Sequence, residues 1–83
     1  MRLVYFSWVR QRIGIDAETV SPPLEVTTVG ALLDWLRARG PGYAAALAEP
    51  GVVRVAVNQE YANLDQPVTT NDEVALFPPV TGG

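Results

Sequence analysis

Gly82 and Gly83 follow Phe77-Pro78-Pro79-Val80-Thr81, and that order suits a backbone carboxylate to serve as the reactive group. Glycine has no Cβ, so a di-glycine segment passes through a channel too narrow for any side chain. Pro78 and Pro79 fix φ and offer no N–H to a neighbouring strand, which keeps the segment extended. Five residues beyond Pro78 reach roughly 16–18 Å. The expected device is a stalk, with Pro78, Pro79, Val80, Thr81 and Gly82 inserted into another protein and the Gly83 carboxylate presented for reaction there. A frayed, inert end is the plain alternative. Direct attachment to the strand-like run Glu73–Phe77 through two prolines speaks against it.

What the chain lacks points the same way. It has no cysteine and no histidine, hence no thiolate nucleophile, no disulfide and neither of the commonest general-base and metal-ligand side chains. Any sulfur or acyl chemistry falls to the terminal carboxylate, with a partner driving it, so the chain itself carries no catalytic side chains. All six basic residues are arginines; without lysine, only the Met1 α-amine is open to acylation. A net charge of −3 argues against nucleic acid, which demands a basic footprint. No signal-peptide pattern opens the chain and no apolar run approaches the ~18 residues that span a bilayer, so a soluble, cytoplasmic protein is expected. Asp16, Glu18, Asp34, Asp65, Asp72 and Glu73 show no metal-ligand or paired-acid spacing. They are read as solvated, Asp72 as turn chemistry. Gly40 and Gly42 flank a proline and do not make a phosphate loop.

A single domain of 83 residues must position this stalk, burying around 60% of the unfolded chain's surface. Arg2–Trp8 is rich in β-branched and aromatic residues and predicts a first strand. Val9–Ile13 predicts a helical turn stopped by Gly14, and Glu18–Val20 a short second strand ended by Ser21-Pro22-Pro23. Thr28 predicts an N-cap for a helix running to about Arg39. Val29, Leu32, Leu33 and Leu36 share one face of its 3.6-residue period, and Arg37 and Arg39 complement its dipole. Tyr43–Ala48 predicts a second, short helix. Val53–Val57 alternates as a strand with its valines inward, Asn58-Gln59-Glu60 turns, Tyr61 begins a short return, and Glu73–Phe77 is the last strand.

Strands at both ends of this β–β–α–(α)–β–β order can pair as parallel neighbours in the middle of a mixed sheet. The expected fold is α+β, a β-grasp: four to five strands packed on one main helix, residues 1–77, with a flexible tail over 78–83. If Leu3, Tyr5, Val74 and Leu76 face the helix, then Phe6, Ala75 and Phe77 lie on the outer face, with Tyr61 nearby. Contiguous aromatics beside a reactive stalk suit partner docking, so Phe6, Tyr61, Ala75 and Phe77 are the expected docking residues. Trp8 and Trp35 are read as packing residues.

Asp72-Glu73-Val74-Ala75-Leu76-Phe77-Pro78-Pro79-Val80-Thr81-Gly82-Gly83 resembles the terminus of the molybdopterin synthase small subunit (MoaD) family, commonly D-E-V-A-x-F-P-P-V-[ST]-G-G. Tyr5–Gly14 is similar to that family's F-F-A-x-x-R-E-x-x-G, and Val55-Ala56-Val57-Asn58-Gln59 to its V-A-V-N-x. Ser7-Trp8 and Gln11 depart from the pattern at the opening helical turn; the tail does not. The resemblance implies a sulfur carrier that binds no cofactor. An E1-like enzyme would consume ATP to adenylate the Gly83 carboxylate, and a sulfurtransferase would convert it to a thiocarboxylate. The tail would then enter the synthase large subunit, in a heterotetramer of two small and two large subunits, and convert cyclic pyranopterin monophosphate to the dithiolene of molybdopterin. Another β-grasp carrier, such as the thiamine-pathway ThiS, shares the Gly-Gly end. A ubiquitin-like modifier of lysines and an inert interaction domain are the readings from other classes.

Overall fold

The structure is a computed structural model and describes residues 1–49 and 51–79. Among them are five strands, β1 (Arg2–Tyr5), β2 (Ala17–Thr19), β3 (Arg54–Val57), β4 (Glu60–Tyr61) and β5 (Glu73–Phe77). Three helices, α1 (Ser7–Ile13), α2 (Val29–Arg37) and α3 (Pro41–Ala46), complete the set. The strands form one mixed sheet in the order β2-β1-β5-β3-β4. β1 and β5 run parallel at its centre, with Leu3 opposite Val74 and Tyr5 opposite Leu76; the other pairings are antiparallel. This is the β-grasp arrangement.

Side-chain alternation divides the sheet into two faces. Leu3, Tyr5, Val74, Leu76, Val55 and Val57 are buried and join Val29, Leu32, Leu33 and Leu36 of α2 in one core. α2 starts where its cap chemistry dictates: the Thr28 Oγ1 accepts the Ala31 N–H at 3.2 Å, satisfying one of the donors a helix start leaves unpaired. Its first turn is also held by the loop that follows β4. The Val29 and Gly30 N–H groups donate to the carbonyls of Gln66 and Leu64, and a Cβ at position 30 would come within 3.3 Å of the Leu64 oxygen. Trp8 and Trp35 pack at the core's margin. Among the described residues no helix is long and apolar enough to cross a membrane.

Several boundaries differ from the sequence reading. The first strand stops at Tyr5 rather than Trp8 because Ser7 adopts φ 53° and turns the chain out of the sheet into α1. The second strand lies one residue earlier, leaving Val20 as a buried residue whose carbonyl accepts the Met1 amine at 3.0 Å. α2 ends at Arg37, so Arg39 lies past the helix and does not serve its dipole. Asn58 and Gln59, at φ 51° and 71°, form the two-residue link between β3 and β4. Positive φ at both positions is the signature of a type I′ hairpin, whose twist matches that of the strands.

Candidate functional site: the outer sheet face and the root of the tail

Strand register assembles the outer face row by row. Val4 lies between Ala17 and Ala75, and Ala56 lies between Ala75 and Tyr61. Ala17, Val4, Ala75, Ala56 and Tyr61 therefore form one apolar row across all five strands. The next row toward the tail sets Phe77 opposite Arg54. Tyr61 is 79% exposed, and its ring lies 5.9 Å from that of Phe77 in a tilted contact. Ala75 and Phe77 are half-buried.

Phe6 is 49% exposed, and its N–H continues the β1–β5 pairing by donating to the Leu76 carbonyl at 3.1 Å. The expected meeting of the Phe6 and Phe77 rings does not occur: the aromatic contact on this face is between Tyr61 and Phe77. Phe6 is the N-cap of α1, next to the left-handed turn at Ser7, and so leaves the strand line where Phe77 is still within it. Tyr61 and Phe77 also line a groove of about 570 Å³ that runs over the β4 edge to Leu33, Leu47 and Leu64.

Pro78 and Pro79 follow β5 outside regular structure and are half-buried. The tail thus departs from a strand flanked on both sides, by β1 and β3. Val80, Thr81, Gly82 and the Gly83 carboxylate lie outside the described residues, as does the expected flexibility of this segment.

The inner face carries a polar cluster that the sequence reading missed. Glu18, read as solvated, has only 15% of its side chain exposed. Register explains this: Glu18 lies opposite Leu3 and shares its inward parity. Its carboxylate accepts the Tyr5 hydroxyl at 2.7 Å, the Tyr43 hydroxyl at 2.6 Å and the Arg39 guanidinium at 3.0 Å. Burial by itself raises the Glu18 carboxyl, but the phenol bonds from Tyr43 and Tyr5 and the Arg39 cation outweigh it and hold the group below the usual carboxylate range. Burial, then donation to Glu18, pushes both tyrosines above the ordinary phenol value. Arg39 also lies over the rings of Trp35 and Tyr43, at 5.1 and 5.0 Å. Tyr43 reaches the cluster because α3 seats tightly on α1. A Cβ at Gly42 would come within 2.5 Å of the Arg12 carbonyl. The cluster's members are spread over four segments of chain, which left no local signal in the sequence.

Asp72 behaves as turn chemistry predicts. Its carboxylate accepts from the Asn58 amide and the Thr69 N–H, and these bonds, the Asn58 one foremost, hold it below its ordinary value. The Asn58 side-chain oxygen in turn accepts the Glu73 N–H at 3.0 Å. The β3–β4 turn is thereby tied to the start of the tail-bearing strand.

A sheet with a parallel central pair, a helix across one face and a tail leaving the central strand defines the β-grasp, ubiquitin-like class of carriers and modifiers. Within that class the chain belongs to the ThiS family, whose model matches residues 3–83. It is 42% identical over 83 residues to the molybdopterin synthase sulfur carrier subunit of Escherichia coli, covering all of this chain and 99% of that one. The protein of the same name from Haemophilus influenzae is 37% identical, with the same coverage. Among solved structures, SAMP1 from Haloferax volcanii superposes with a TM-score of 0.80 at 30% identity, over 100% of this chain and 98% of that one.

Proposed function

We propose that this chain is the sulfur-carrier subunit of a molybdopterin synthase. The observation that carries the reading is the root of the tail. β5 delivers Phe77 and two prolines from the middle of the sheet, beside an uncovered apolar face where a partner can grip the domain. Full-length similarity to sulfur carrier subunits supports the pathway.

The chemistry resides at Gly83. An ionised α-carboxylate, with pKa about 3.3–3.7, is a poor electrophile at neutral pH. An E1-like partner attaches AMP from ATP to it and releases pyrophosphate. Persulfide sulfur from a sulfurtransferase then displaces AMP, and reduction of the acyl disulfide by a thiol leaves the thiocarboxylate. Docked on the large subunit, the tail places that sulfur against the pterin precursor, and hydrolysis of the acyl–sulfur bond leaves sulfur on the product and restores the carboxylate. Two loaded carriers supply the two sulfurs of one dithiolene. The partner provides all acids and bases, and the carrier works in the cytoplasm in a two-plus-two heterotetramer.

Intact-mass measurement after incubation with the activating enzyme, ATP and a sulfur source tests this. The expected result is a gain equal to one oxygen replaced by sulfur, localised to Gly83. Deleting Gly83 abolishes sulfur transfer and leaves the melting temperature unchanged; dithiolene formation by the truncated protein overturns the mechanism. The likeness to SAMP1 favours a second reading, a modifier joined through Gly83 to lysines. Amide-linked adducts in place of the thiocarboxylate would establish it. A thiocarboxylate that yields thiazole and no dithiolene would move the chain to the thiamine pathway.

A further inference from the structure

The six arginines of this chain are not equivalently placed. Arg2, Arg37 and Arg39 pair with Glu73, Asp34 and Glu18. Arg12 lies over the Trp8 ring at 4.6 Å. Arg10 sits in the last turn of α1, where the helix's free carbonyls attract a cation. Arg54 has none of these. It is exposed, lies on the outer face opposite Phe77, and lines the groove shared by Tyr61 and Phe77. Glu49 lines the same groove, yet no ion pair joins it to Arg54 among the described residues. Among the described residues, an acidic protein thus keeps an unpaired cation beside its aromatic pair, at the strand end where the tail departs.

Solvent satisfies that cation only while the face is open. A partner that covers Tyr61 and Phe77 also strips water from the guanidinium that lines the same groove. Removing a charge from water costs several kcal/mol unless an opposite charge with good geometry replaces the solvent. A purely apolar or basic partner surface is therefore rejected, and one with a carboxylate at this position is selected. Arginine's planar fork suits such a carboxylate. We infer that Arg54 is a specificity determinant of the docking face, and that the partner presents a carboxylate side chain to it within an otherwise apolar contact. The inference rests on the proposed function, since it describes the partner that function requires.

The experiment measures binding of the cognate synthase large subunit to the full chain, to Arg54→Gln and to Arg54→Glu, at low and at physiological salt. Arg54 is exposed, so both variants keep the wild-type melting temperature. Arg54→Gln weakens binding about thirtyfold, the lower end for truncating one member of an interfacial charge pair, and Arg54→Glu weakens it further. The salt dependence seen with the wild type falls in both. Arg2→Gln, on β1 at the opposite end of the sheet, stays within about twofold. Charge reversal of one acidic residue on the large subunit restores binding to Arg54→Glu.

Removing Gly82 and Gly83 separates the partner's acid from the chain's own terminal carboxylate. If truncation abolishes the effect of Arg54→Gln, the carboxylate in question belongs to the tail and the inference fails. It fails equally if wild type binds and Arg54→Glu binds as well. If wild type does not bind the large subunit, the functional reading falls and this pairing falls with it.

Discussion

The two faces of the same five strands each carry aromatic side chains and a charged group, and they treat them in opposite ways. On the inner face Glu18 accepts from Tyr5, Tyr43 and Arg39, and no buried side-chain polar atom is left without a partner among the described residues. On the outer face Tyr61 and Phe77 pair with each other, reach solvent, and stand beside a cation that no acid pairs with among the described residues. A closed network fixes the fold, because every member has its partner inside the molecule. An open one prepares a contact, because its members are satisfied only by water until another surface arrives. In a domain this small the division matters: the proposed binding surface and the core lie one strand thickness apart and are set by residue parity.

The largest break in the comparison is Glu18→Ala. It strands the buried Tyr5 hydroxyl and removes the anion that holds Arg39, and an unfolding titration should show a loss of about 3 kcal/mol, the upper range for bonds to a charged group. Docking of the folded fraction should be unchanged, since none of these groups reaches the outer face. A stability loss below about 1 kcal/mol would demote the cluster to an incidental surface network.

Phe77→Ala breaks the other side. Binding to the large subunit should weaken by about 2 kcal/mol, in the range of an interface hot spot, while the half-buried ring contributes less to folding. If stability falls by more than affinity, Phe77 belongs with the core and the outer face loses its anchor.

Gly42→Ala sharpens the inner side by asking what seats Tyr43 over Glu18. The added methyl meets the Arg12 backbone, which cannot swing away as a side chain would, so about 2 kcal/mol of destabilisation is expected from overpacking. In the double variant with Glu18→Ala the two losses should be less than additive. Strict additivity would show that the seat of α3 and the Glu18 cluster are independent.

The smallest effect is in the pH profile. Glu18 is held below its unfolded value, so its contribution is fully present above about pH 4.3 and is lost as pH falls through the lowered folded value. Tyr5 and Tyr43 are raised, so theirs is present below about pH 10 and is lost as pH rises beyond it. Melting temperature against pH should therefore show a shallower fall on both limbs in Glu18→Gln than in wild type. Parallel profiles would remove the titration argument while leaving the hydrogen bonds in place.

Much of the inner face was legible from alternation alone. Leu3 and Tyr5, Val55 and Val57, and Val74 and Leu76 each repeat at two, and the four apolar positions of α2 repeat at 3.6, so parity and period place them without knowledge of the partners. Glu18 was not legible, because a three-residue strand is too short to show a pattern and its three partners come from β1, α3 and the turn between helices. The ring pair on the outer face was half legible. Parity put Phe77 and Tyr61 together, but the left-handed turn at Ser7 that separates Phe6 from them has no glycine to announce it. Arg54 was visible only as a charged residue in a strand; that no acid pairs with it among the described residues is a property of the finished register.

Parallel pairing of β1 with β5 also bears on how the molecule comes into being. The two central strands are contributed by residues almost the whole chain apart, so their contacts require closure of a loop that encloses every other element. Contacts of such high sequence separation form late and slow folding. During synthesis β1 waits, its central edge unpaired, until the ribosome has released the segment through Phe77. The row that joins Val4 to Ala75 and Tyr61 then forms in the same event that anchors the stalk. A chain terminated before β5 has neither the Val4–Ala75–Ala56 row nor a completed central pair. The connectivity therefore makes completion of the sheet depend on the last strand of the domain.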